Sequence, residues 1–214
     1  MKRKISDYCV RKLIESNTIK ETEIKIYAYG IEEGLTIGIN WCLTIILGFF
    51  WGQVYSTIFF LVVYMLLRSY AGGYHAINEK RCFWYSIMLI VICEIVLKFM
   101  RNIDFSIIIF LYCLAIYVII NLAPMDSKNK PLSSGEAYKF YKKVIVFLYC
   151  NSLMIFIFCF IGRFPSVTTG IILAVYVEAI MLCMGKLNTF MKGTWGDYCN
   201  IFVSYKKLLF DHKI

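Results

Sequence analysis

The sequence predicts an all-α, polytopic integral membrane protein with about six transmembrane helices, preceded by an amphipathic helical segment. Three observations carry this. Of 214 residues, 60% are apolar and only 17% charged, a balance far from that of a water-soluble domain. Apolar runs at 35–52, 53–67, 83–100, 103–123, 144–162 and 166–185 approach the roughly 20 residues a helix needs to cross a bilayer. Between these runs the 23 Lys and Arg residues alternate between rich and poor segments.

The first 34 residues hold seven basic and six acidic groups among apolar ones. Ile5, Tyr8, Cys9 and Leu13 recur at helical spacing and predict a first amphipathic helix. Thr18 and Glu21 have the spacing of a capping box, and Ile24, Tyr27, Ala28, Ile31 and Leu35 form a second stripe. The segment 1–34 therefore reads as two short helices at the membrane surface. The basic start is followed by mixed polar sequence with no apolar core, so a cleaved signal peptide is not expected.

The membrane domain is expected over 35–185 and a tail over 186–214. Its second run is short, and Gly48, Gly52 and Gln53 blur its junction with the first, so four or five spans plus a re-entrant segment is the alternative. Seven basic residues fall in 1–34, three in 68–82, five in 124–143 and five after 185, against two in 98–102 and one at Arg163. With six spans and a cytoplasmic N-terminus, 20 lie inside and 3 outside, as the positive-inside rule requires. This reading places both termini, the polar loop 68–82 and the basic loop 124–143 at the cytoplasmic face of the cell membrane. The net charge of +9 is dispersed between apolar runs and forms no stripe suited to a duplex, so no nucleic-acid partner is expected.

Ionisable groups inside spans are costly and therefore informative. Glu94 precedes Lys98 by four residues, the order that favours an ion pair along one helix face. Glu178 lies in the last span without a local partner and should face the bundle interior. Of nine cysteines, Cys42, Cys93, Cys113, Cys150, Cys159 and Cys183 lie inside spans, where a thiol acts as a small apolar group. No paired spacing suggests zinc or disulfides, so neither a metal nor another cofactor is expected.

Cys82 differs, because it closes the polar stretch 68–82, which also holds His75. A histidine within hydrogen-bond reach can take the proton of a thiol and stabilise the thiolate. On one straight helix, seven residues separate the two by about 10 Å, too far for that bond. The pairing needs a bend or loop, and Gly72-Gly73 supplies backbone freedom just before the histidine. Cys82 is expected to open the third span, where a helix N-terminus favours a thiolate. Arg68, Lys80 and Arg81 add positive potential. Ser69, Asn78 and Glu79 are near enough in sequence to orient His75, with no basis for choosing among them.

Arg68-x-x-x-Gly72-Gly73-x-His75-Ala76, with Cys82 following, resembles the signature of the accessory gene regulator protein B (AgrB) family. The Ala123-Pro124 to Lys128-x-Lys130-Pro131 stretch is also similar to that family, as are the length, the amphipathic start and the order of apolar runs. The resemblance implies a membrane cysteine endopeptidase of bacterial quorum sensing, with Cys82 as nucleophile and His75 as general base and then acid. It implies an AgrD-type propeptide as substrate, cleaved at its acidic tail and released as a thiolactone or lactone macrocycle. It also implies a homodimer. Arg68, Gly72, Gly73, Lys128 and Lys130 become candidate substrate contacts. The alternative from another class is a non-catalytic multispan transporter, or a membrane partner in a signalling complex, in which Glu178 and 68–82 would line a pathway.

Overall fold

Breaks at glycine, proline and polar clusters divide the apolar sequence into helices. The computed structural model describes residues 2–16, 18–74, 79–100, 102–125, 133–162 and 165–191. Among them are seven α-helices and no strands: α1 (Lys2–Glu15), α2 (Ile24–Phe50), α3 (Val54–Ala71), α4 (Glu79–Met100), α5 (Phe105–Leu122), α6 (Ser134–Ile161) and α7 (Pro165–Met191). Six of these, α2 to α7, are long and apolar enough to cross a membrane.

The amphipathic start is organised differently from the sequence expectation. In α1 the packed positions are Ser6 and Val10, with the Ser6 hydroxyl donating to the Ala28 carbonyl at 3.0 Å, while Ile5 and Tyr8 are exposed. The described bond of the Thr18 side chain is not that of the expected capping box: its hydroxyl pairs with that of Ser16 at 2.7 Å. Instead the Lys20 amide donates to Glu23 Oε2 at 3.2 Å, and a 3-10 turn over Glu21–Glu23 leads into α2. The second predicted stripe is not a separate helix, because nothing between 24 and 50 breaks the backbone. Its residues form the first turns of α2, whose 27 residues span about 40 Å, more than the roughly 30 Å of a hydrocarbon core.

The α2–α3 junction is a tight turn over residues 51–53, followed by a full 18-residue helix, so the second run is a span and not a re-entrant segment. Glu94 holds this junction to α4. Its carboxylate accepts from Thr57 Oγ1 at 2.8 Å and Gln53 Nε2 at 3.1 Å, and Gln53 Nε2 also donates to the Glu94 carbonyl at 2.7 Å. This replaces the expected pair with Lys98, which is exposed. The reason is burial: Glu94 is 1% accessible, and a buried carboxylate is held where donors converge.

Helix α7 is the centre of the bundle. Of its apolar stretch 67% is buried, against 11% for α2, and Ile171 to Val175 are all inaccessible or nearly so, the all-round burial of a core helix. Helices α3 and α5 make its most extensive contacts. At one end, Gly170 meets the start of α3 so closely that a Cβ there would sit 2.2 Å from the Ser56 carbonyl oxygen, the small-residue contact typical of helices in bilayers. At the other end, the Tyr74 amide beyond α3 donates to the Met181 carbonyl at 3.1 Å. The two helices therefore run parallel, as the second and sixth of six alternating spans must.

Candidate active site

The site is built at the end of the bundle where α3, α5 and α7 converge. Helix α3 stops at Ala71 because Gly72 and Gly73 adopt φ of +78° and +123°, backbone that side chains other than glycine rarely enter. The Gly72 amide still donates to the Arg68 carbonyl at 3.2 Å, closing the last helical turn. Space reinforces the choice. A Cβ on Gly72 would lie 2.3 Å from the Met125 carbonyl oxygen, and one on Gly73 would lie 2.1 Å from an Arg68 guanidinium nitrogen.

Arg68 folds over this break. One guanidinium nitrogen donates to the Gly72 carbonyl at 2.6 Å and the other to the Tyr74 carbonyl. The side chain thus satisfies carbonyls that the helix has ceased to use, and its planar fork suits two acceptors at once. Tyr74 is pinned from both sides, its amide to Met181 on α7 and its carbonyl to Arg68. His75 is the next residue along the chain.

The second motif stretch meets the first. The Met125 amide donates to the Ala71 carbonyl at 2.8 Å, and the Ala123-Pro124 peptide just before it is cis. Gly185 of α7 lies beneath both, where a Cβ would meet the Met125 sulfur at 2.4 Å and the Tyr74 amide at 3.0 Å. Tyr70 joins this end of α3 to α6 by stacking on Phe147 with centroids 5.7 Å apart, and Lys143 Nζ stands 4.5 Å above its ring. Beside the convergence, a groove of about 680 Å³ opens between α5 and α7, with Asn121 and Lys186 among apolar walls.

Several residues singled out from sequence fall elsewhere. His75, Asn78, Lys128 and Lys130 lie outside the described residues. Cys82 is placed as the fourth residue of α4, which begins at Glu79. Arg68, Gly72 and Gly73 stand together as described, but the polar atoms of Arg68 are turned onto its own loop. Ser69 is exposed and its hydroxyl donates back to the Met65 carbonyl at 2.7 Å, so it is committed to α3. Within the basic stretch 124–143, α6 already begins at Ser134, because Ser133 and Glu136 form a capping box there. Lys139, Lys142 and Lys143 are consequently helical. That box has the Ser-x-x-Glu spacing in the sequence and was legible there. Tyr74, Met125 and Gly185 carried no such signal.

A family model described as Accessory gene regulator B matches residues 4–182, a range that takes in both motif stretches, Cys82 and Glu178. The chain belongs to the AgrB family. Membership sets it, at the level of the family, among membrane proteins that process quorum-sensing propeptides. Two curated Clostridium perfringens proteins are similar to this AgrB protein. The one from strain SM101, named "Putative AgrB-like protein", is 26% identical over 191 residues, covering 83% of this chain and 87% of its own. The one from strain 13, which bears the same name with the suffix 2, is 23% identical over 171 residues, covering 75% and 79%. No solved structure matches the chain.

Proposed function

We propose that this protein is a cysteine endopeptidase that cleaves an AgrD-type propeptide and closes it into a thiolactone or lactone. The observation that carries the reading is the break between α3 and α4. The chain leaves α3 at Gly72, is fixed at Tyr74, and enters α4 at Glu79, which puts Cys82 in a first helical turn. A helix start favours an anionic sulfur through its free amides and dipole, and the Gly72-Gly73 break ends α3 just before the histidine.

In this reading His75 takes the Cys82 proton, and the thiolate attacks the carbonyl carbon at the junction between the pheromone segment and the tail. The tetrahedral intermediate collapses as the C–N bond breaks, and the imidazolium protonates the leaving amine. The pheromone segment stays as a thioester on Cys82. A cysteine thiol of the substrate then attacks that thioester, forms the ring and returns the Cys82 thiol; a serine in its place gives the lactone. Exchange of an amide for a thioester is uphill, so water must be kept from the acyl-enzyme. A site at the rim of a bilayer serves that need and also concentrates an amphipathic substrate.

The charge asymmetry supports a cytoplasmic position for the end of the bundle that carries Gly72 and Met125. The working form in this reading is a homodimer in the cell membrane. The test uses the full chain in liposomes with its propeptide, analysed by mass spectrometry. Wild type should yield free tail and a Cys82 adduct equal in mass to the remaining segment. Cleavage at the normal rate by Cys82→Ala protein would falsify the cysteine mechanism.

A further inference from the structure

Glu178 is the fully buried carboxylate that nothing above employs. It is 0% accessible, and among the described residues neither of its oxygens has a hydrogen-bond partner. A bare carboxylate in this setting costs several kcal/mol unless a cation compensates it. The Arg68 guanidinium lies against the same stretch of α7, since a Cβ built on Gly73 would meet both one of its nitrogens, at 2.1 Å, and the Met181 carbonyl oxygen, at 3.3 Å. Position on α7 makes the link specific, because Glu178 precedes Met181 by three residues and so shares its helix face. Met181 is the residue whose carbonyl receives the Tyr74 amide.

We propose that Glu178 is a positioning residue, a buried counter-charge that keeps the Arg68 guanidinium over the Gly72 and Tyr74 carbonyls and thereby fixes the chain as it enters His75. The proposal rests on the reading of His75 as a catalytic group. It also assigns Arg68 inward, to the loop, and away from the acidic tail of the substrate. Of the five N–H groups of Arg68, the two loop bonds use two, and hydrogen bonds to neutral carbonyls leave its charge without a counter-ion.

Two consequences separate this role from a general contribution to folding. In Glu178→Gln protein, amide hydrogen exchange should quicken by about tenfold at 72–74 and stay unchanged along α5 and α6. Propeptide cleavage should lose roughly tenfold to hundredfold in kcat with KM little altered, because misplacement by an ångström is enough. An Arg68 that bound the tail directly would show the opposite split. Unchanged exchange at 72–74 overturns the proposal whatever the activity does. Faster exchange with unchanged cleavage overturns the positioning role and leaves the cysteine mechanism to the Cys82→Ala assay, so the two readings fail separately.

Should Glu178→Gln protein not accumulate, the Arg68→Gln single and Arg68→Gln/Glu178→Gln double variants decide. Removing one partner of a buried pair leaves an uncompensated charge, whereas removing both does not. The double variant is expected to accumulate in membranes at least as well as Arg68→Gln alone. Losses that simply add would overturn the pairing.

Discussion

The amide of Met125 donates to the carbonyl of Ala71 at 2.8 Å, and this bond hangs the start of the basic segment on the last residue of α3. Two stretches some fifty residues apart in sequence become one structure. Helix ends leave carbonyls unpaired, and here the carbonyl of one helix end is satisfied by the chain leaving another.

The glycines at this junction should differ in tolerance. In Gly72→Ala the new methyl would meet a backbone oxygen at 2.3 Å at a φ of +78°, a combination costing roughly 2–4 kcal/mol. In Gly185→Ala the nearest atom is the sulfur of the flexible Met125 side chain, which can move, and the backbone atoms stand farther off, at 3.0 and 3.1 Å. Denaturation in detergent should show a markedly larger loss for Gly72→Ala; equal losses would mean that the loop relaxes freely.

The catalytic reading expects His75→Ala and Cys82→Ala each to abolish propeptide cleavage while the protein still inserts. Groups that act as one unit give strongly non-additive losses, so the double variant should be no worse than either single. Immunoblots of membrane fractions against tail release measure both. Substantial cleavage by His75→Ala protein would remove the histidine from the mechanism.

Lys128 and Lys130 follow the Met125 anchor by a few residues. Exchanging both for Gln should raise the apparent KM more than it lowers kcat, because an acidic tail is attracted over about 8 Å at physiological salt and the loss is one of uniform binding. Kinetics at two ionic strengths decide the point. A double variant with wild-type parameters and wild-type salt dependence would leave these lysines as topology signals only.

At the other end of the bundle, Thr57→Val keeps the shape of the side chain but removes the donor to Glu94 Oε1. With a buried acceptor deprived of its partner, a loss of about 1–3 kcal/mol is expected. Thermal unfolding in detergent should reveal it, together with near-normal cleavage in the fraction that remains folded. A fall in kcat at full stability would instead connect this cluster to the chemistry.

Topology can be read with single cysteines in a background freed of the nine native ones. Asn102→Cys, between α4 and α5, should react with an impermeant maleimide on intact cells. Asn78→Cys and Lys128→Cys should react only after permeabilisation. Reversal of the pattern would invert the orientation drawn from the charges.

By itself the sequence determined the all-helical membrane architecture, the number of spans and the two motif stretches. These depend on local composition: apolar length sets a span, and Gly72-Gly73 gives the backbone the freedom to leave a helix. Pattern also suggested that Glu178 faces inward, since a charge in a span has nowhere else to go. The tertiary structure decided what each polar group does there, because its partners come from other helices. Glu94 chose Thr57 and Gln53 over Lys98, since the bundle brings those donors to a buried carboxylate while Lys98 points outward. Arg68 turned onto its own loop because two carbonyls freed by glycine lay within its reach. The continuity of α2 and the early start of α6 followed from backbone bonds and a cap, which hydropathy does not register. Only packing could bring Ala71, Met125 and Gly185 together, because their closeness belongs to the parallel arrangement of α3, α5 and α7 and to no feature of their neighbours in the chain.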